Sequence, residues 1–263
     1  TLDEPEAALR ERTSYAPRLR TAPPALGGLV RLHFHARGAI SNLFLESLSV
    51  IASPGNATVL LRVRAVGLNF RDVLNVLGEY PGDPGPPGGD AAGVVGEALL
   101  SVDLMFGLAH APLASVAAAA RDLLARKPTA LSFEQACTLP VTWSTTHAAV
   151  ERAALRAGTA FVVQAAAGGV GLKAVEYAHG LHALLTGTAG RPHKHARLRE
   201  TGLNASCSSR DAAAFAIGAA RRLDGTRLHA LLNSLSLDFI ATSFASLGEG
   251  GAFEEIGKRG IWA

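Results

Sequence analysis

The chain has 263 residues, 48% hydrophobic and 18% charged, with a net charge of +3 at neutral pH. This is ordinary globular composition, enough for two modest domains or one large one, and it excludes a disordered tail. Cations such as Arg10, Arg18, Arg62, Arg121 and Arg221 are scattered rather than blocked, so nucleic acid is not implied; no apolar run reaches the length of a membrane span, and the N-terminus reads as polar and charged, without the apolar core of a signal peptide.

Residues 1–28 are rich in charge, Ala and Pro, and Pro5, Pro17, Pro23 and Pro24 leave room for no helix longer than Glu6 to Arg12. They read as a leader or interdomain linker. With Thr1 first and Met105 the single methionine, the sequence is expected to be a piece of a longer polypeptide in a soluble, cytoplasmic setting. From Gly28 onward, Leu29 to Phe34, Leu43 to Val50 and Val59 to Val66 read as strands, the last by its alternation of apolar and charged residues. Asn69 can cap a helix from Phe70 to Leu77, and Gly78 can end it. Asp83 to Asp90 is too rich in Pro and Gly for regular structure, and Ala91 to Val95 resumes as a strand. Ser132 and Gln135 form a capping box for the next helix, and a hinge is expected near Leu139 to Trp143. These signals divide the chain into the leader 1–28, a β-rich part at 29–138 and a second part at 139–263. Cys137 and Cys207 are too few for a disulfide framework or a zinc cluster, so no metal is expected.

Beyond Gly158, strands and helices alternate regularly: strands at Phe161 to Gln164, Ala183 to Thr188, Ala205 to Cys207, His229 to Leu232 and Ala252 to Ile256, with helices between them. That alternation specifies an α/β fold with a doubly wound parallel sheet. Five strands are visible, and the sixth of the complete fold is expected to lie past the end of this sequence. Ala165, Gly168 and Gly171 keep the spacing of a dinucleotide loop, where the backbone of Gly168, Gly169, Val170 and Gly171 can meet a phosphate. A glycine turn with no ligand is the alternative. The second strand is followed by Arg191, Lys194 and Arg197, with no acid before Glu200. These cations suit a ribose 2′-phosphate, hence NADPH, unless they merely solvate a helix start.

Gly67 to Gly82 (GLNFRDVLNVLGEYPG), Gly88 to Val95 (GGDAAGVV), Arg126 to Thr145, Val162 to Gly171, Leu231 to Leu235 and Glu254 to Trp262 together resemble one family. It is the enoyl reductase domains of modular polyketide synthases, within the zinc-free medium-chain dehydrogenase/reductase superfamily. The resemblance implies a GroES-like β-rich domain, then a Rossmann-type NADPH domain truncated before its sixth strand, with the substrate between them. It implies reduction of an α,β-enoyl thioester carried on an acyl carrier protein, beside neighbouring synthase domains. Residue by residue, it makes Lys258 a proton donor or enolate stabiliser and Tyr80 a donor to the α-carbon, against a solvated lysine and a loop anchor. It places Asn69 and Arg71 in the substrate cleft and Thr145 near the nicotinamide, each otherwise a cap or strand-end polar group. Lys194 and Arg210 match phosphate or adenosine contacts, and Asn233 a strand-end residue beside the cofactor. Three departures stand out: the assisting aspartate falls on the missing strand, Gly96 to Leu108 is shortened, and Gln164 replaces a frequent histidine. A free-standing NADPH quinone oxidoreductase and a catalytically silent NADPH-binding structural domain are the other readings.

Overall fold

A computed structural model gives the fold and describes residues 8–10, 13–15, 28–48, 55, 57–96 and 102–257. The chain opens with a short antiparallel pair, β1 (Ala8–Arg10) and β2 (Thr13–Tyr15), where the sequence allowed a helix over Glu6 to Arg12. A helix that short is marginal on its own and forms only where packing or caps support it. A second antiparallel pair follows, β3 (Val30–Phe34) and β4 (Leu43–Ser47). Then come β5 (Thr58–Gly67), α1 (Phe70–Leu77), β6 (Asp90–Val95), β7 (Asp103–Leu108), β8 (Val116–Ala120) and β9 (Leu124–Arg126). The five strands form one antiparallel sheet in the order β8-β5-β6-β7-β9.

β8 carries no strand signal, because VAAAA favours helix by propensity. Pairing with β5 overrides it: Leu60 faces Ala118 across the ladder, and Ala117 and Ala119 are buried. α1 runs over Phe70–Leu77 as its cap signals specify, with Gly78 left-handed at its end (φ 72°).

α2 (Phe133–Ala136) is capped by Ser132, whose Oγ accepts from Gln135 N–H at 3.1 Å while Gln135 Oε1 accepts from Ser132 N–H at 3.0 Å. The segment expected to hold the hinge, Leu139 to Trp143, contains the start of α3 (Pro140–Arg152). Proline at the first helical position suits a helix start, since its missing N–H would have no partner there.

The remaining elements are β10 (Ala160–Val163), α4 (Gly169–Gly180), β11 (Leu184–Ala189), α5 (Pro192–Glu200), β12 (Ser206–Ser208), α6 (Ala212–Leu223), β13 (Leu228–Asn233), α7 (Asp238–Ser246) and β14 (Ala252–Glu255). The strands are parallel, in the order β12-β11-β10-β13-β14. Successive side chains of β10 point to opposite faces, and both faces are covered. Phe161 and Val163 pack with α3, α4 and α5 through Val150, Val175 and Leu198, while Ala160 and Val162 pack with Phe215 of α6 and Phe239 of α7. The sheet order reverses beside β10, so the crevice at the strands' carboxyl ends is where a ligand is held in such a fold.

Candidate functional site

The loop leaving β10 is built by backbone contacts that only small residues permit. Ala165 takes a left-handed turn (φ 46°), its N–H donating to Thr188 Oγ1 at 2.9 Å, and Ala166 N–H donates to the Thr188 carbonyl at 2.9 Å. Gly168 caps α4 with no side chain over the first turn. A Cβ on Gly171 would lie 2.5 Å from the Ala165 oxygen and 2.6 Å from Ala166 Cα, so the helix presses directly on the loop backbone. A Cβ on Gly169 would meet Thr142 of α3 at an ordinary 3.5 Å, and Val170 packs into the core below. The N-terminus of a 12-residue helix is thereby opened to an anion, with its N–H groups and dipole directed at it.

The end of β11 supplies cations. Arg191 is the N-cap residue of α5, and its carbonyl accepts from the Lys194 and His195 N–H groups. Gly190 gives passage to Arg210, which comes from the loop after β12: a Cβ at 190 would lie 2.7 Å from Arg210 Nε and 2.9 Å from Ser209 Oγ. Among the described residues no ion pair engages Arg191, Lys194 or Arg210, whereas Arg197 is paired with Glu200 at 3.0 Å. Three exposed, unneutralised cations at one strand end suit a phosphate better than a hydroxyl.

The end of β13 supplies a polar anchor. Asn233 is buried, and Nδ2 donates to the Leu235 carbonyl at 2.8 Å and to Glu255 Oε2 at 2.6 Å. Its Oδ1 is buried without a hydrogen-bond partner. Gln164, also buried, donates through Nε2 to Ser243 Oγ at 2.7 Å and so ties β10 to α7.

On the antiparallel side, Asn69 caps α1, and Asp72 Oδ2 accepts its N–H at 2.8 Å. The Asn69 amide reaches Asp90, donating to Oδ2 at 2.9 Å. The other Asp90 oxygen accepts from Val141 N–H in the first turn of α3 at 2.9 Å, and Thr145 lies one turn further along that helix. Burial raises the Asp90 carboxyl to about 6 despite these hydrogen bonds, with the Asp72 charge adding to the rise. Arg71 turns its guanidinium onto the Pro84 and Gly88 carbonyls, holding the Pro/Gly loop on α1 together with Asn75, which donates to the Gly85 carbonyl at 2.9 Å. Tyr80 is half-buried in the loop after α1, and Lys258 lies outside the described residues. No group of three His, Cys, Asp or Glu side chains converges among the described residues.

The sequence reading missed Asp90 and Gly190. Asp90 had one signal, an acid opening an otherwise apolar strand after Gly88 and Gly89.

No family model matches the chain. The structure superimposes on the CurK enoyl reductase with a TM-score of 0.81 and 33% identity, over 89% of this chain and 76% of that one. The chain belongs to the enoyl reductase family of modular polyketide synthases. Its curated relatives agree: erythronolide synthase EryA2 of Saccharopolyspora erythraea is 38% identical and the spectinabilin polyketide synthase protein NorB of Streptomyces orinoci 37%, each over 98% of this chain. The enoyl reductase chain spans 8% of the first and 12% of the second. A quinone oxidoreductase of Pseudomonas syringae pv. Tomato is 26% identical at a TM-score of 0.77, over 88% of this chain and 74% of that one. The same fold appears in mycobacterial Rv1454c complexed with NADPH, at 23% identity and a TM-score of 0.78, over 88% of this chain and 75% of that one. These relations make the chain an oxidoreductase of the medium-chain dehydrogenase/reductase superfamily, and its glycine loop and strand ends fit a nicotinamide dinucleotide.

Proposed function

We propose that the chain is the NADPH-dependent enoyl reductase of a polyketide synthase, reducing an α,β-enoyl thioester held on an acyl carrier protein beside neighbouring synthase domains. The observation that carries NADPH is the group of unpaired cations at the end of β11, with Gly190 making room for Arg210 where an acid would hold a ribose hydroxyl. When bound, NADPH supplies a hydride to the β-carbon. The chain's residues bind and orient: the first turn of α4 takes the pyrophosphate, Arg191, Lys194 and Arg210 the 2′-phosphate, and Thr145 and Asn233 flank the nicotinamide end. Tyr80 and Lys258 deliver the proton to the α-carbon or steady the enolate oxygen.

NADPH and NADH affinities by fluorescence titration test the cofactor. NADPH binds more tightly, and Arg191→Ala with Lys194→Ala costs it about 2 to 5 kcal/mol, as for charged groups left without partners. Equal affinities for the two dinucleotides would rule the phosphate site out. Because a quinone oxidoreductase shares this fold at 26% identity, a quinone belongs in the same assay, and faster turnover of the quinone than of the carrier-bound enoyl group transfers the assignment to that activity.

A further inference from the structure

Asp90 has no part in the reaction as proposed, yet it joins the two sides of the site. It opens β6, is 1% exposed, and receives donors from opposite directions, Asn69 Nδ2 on one oxygen and Val141 N–H on the other, both at 2.9 Å. α3 has Leu139 at its N-cap position and no side-chain cap of its own, so Asp90 serves as its cap from another element. Room for the carboxylate is cut by Gly67, where a Cβ would lie 2.8 Å from Asp90 Cβ and 2.1 Å from the Cys137 oxygen. A carboxylate only accepts, so Asn69 must present its Nδ2 there, which fixes the orientation of the amide.

We propose that Asp90 is a positioning residue of the reductase site: one carboxylate caps α3 and orients Asn69, and so sets Asn69 on one wall of the cleft against Thr145 on the other. Val141 and Thr145 are four residues apart on α3, so holding the first holds the face that carries the second. This inference rests on the reductase reading of the site. The groups facing Asp90 are Asp72 from α1, whose charge opposes ionisation, and the Cys137 thiol, which burial and the Asp90 charge push up. Arg71, 3.9 Å from Asp72, is occupied by loop carbonyls. Ionised Asp90 is the better cap, because a helix N-terminus favours negative charge. The positioning therefore weakens as pH falls through about 6.

The test compares wild type and Asp90→Asn in the full-length polypeptide, following kcat and KM for a crotonyl thioester, NADPH affinity and thermal stability between pH 5 and 8. Wild-type kcat falls below about pH 6. Asp90→Asn loses about 10- to 100-fold in kcat at pH 8, the scale of a small misplacement of reacting groups, with little change in NADPH affinity, no loss of stability and no inflection. Parallel loss of kcat, cofactor affinity and stability, or an unchanged wild-type pH profile in the variant, overturns the proposal. Should Asp90→Asn not fold, hydrogen exchange at the Val141 amide of the wild type decides: at pH 8 the amide exchanges far more slowly than its intrinsic rate, as a capped N–H does, and exchange at the intrinsic rate overturns the proposal. A wild type that binds no NADPH and reduces no enoyl thioester defeats the functional reading instead, while Val141 exchange still judges the capping.

Discussion

Arg210 Nε lies where a side chain on Gly190 would have to go, 2.7 Å from an ideal Cβ, so an otherwise unremarked glycine sets the course of a cation contributed from another loop. The obstacle is the movable part of an arginine, so Gly190→Val displaces Arg210 and leaves the fold standing. NADPH affinity is expected to fall by about 10- to 100-fold, the worth of a hydrogen bond to a charged group, with NADH affinity little changed. Titration of both dinucleotides checks this. An equal loss for both would place the damage in the glycine loop instead.

Leu237 is a second backbone-determined position, at φ 60° and ψ −128°, a conformation suited to glycine, with its side chain 81% exposed. Little apolar burial is lost on truncating so exposed a side chain. Leu237→Gly is expected to raise stability by about 1 to 3 kcal/mol, read as a higher denaturant midpoint at unchanged m-value. A lower midpoint would show that Leu237 contacts outweigh its backbone strain.

Much of the fold was legible because burial on both faces leaves a plain record. β10 and β13 read as apolar runs, α1 announces both ends with Asn69 and Gly78, and the dinucleotide loop keeps its spacing from Ala165 to Gly171. β8 was not legible, since an alanine run becomes a strand only when β5 is there to pair with it. The capping of α3 by Asp90 was hidden for a similar reason. Its donors stand 21 and 51 residues away, and no local pattern records a contact between them. Arg71, matched to the cleft by resemblance, also grips the Pro84 and Gly88 carbonyls, 13 and 17 residues away, a contact that no local pattern records.

Asp90 also gives stability a pH dependence of definite sign. Burial lifts its carboxyl from an ordinary 3.8 to about 6, so the folded chain holds the proton more tightly than the unfolded one. The stability this confers is complete below about pH 4 and is lost as pH rises through about 6, on the order of 3 kcal/mol in all. In Asp90→Asn the loss disappears from denaturation curves collected between pH 4 and 7. An unaltered pH dependence in the variant would show that other groups are responsible.

On the proposed mechanism the proton donor is separable from the hydride site. Lys258→Ala and Tyr80→Phe, singly and together, should leave NADPH affinity near wild type while one of them slows turnover by about 10²- to 10⁴-fold. If the double variant turns over at full speed, neither residue delivers the proton.

The most direct measurement follows the hydrogen itself, using NADPH deuterated at the reactive nicotinamide carbon and a crotonyl group on the carrier protein in the full-length polypeptide. The account predicts NADPH oxidation matched mole for mole by a saturated acyl product, with deuterium at the β-carbon and solvent hydrogen at the α-carbon. NADPH oxidation that leaves the enoyl group intact, or a saturated product with no deuterium at the β-carbon, would contradict it.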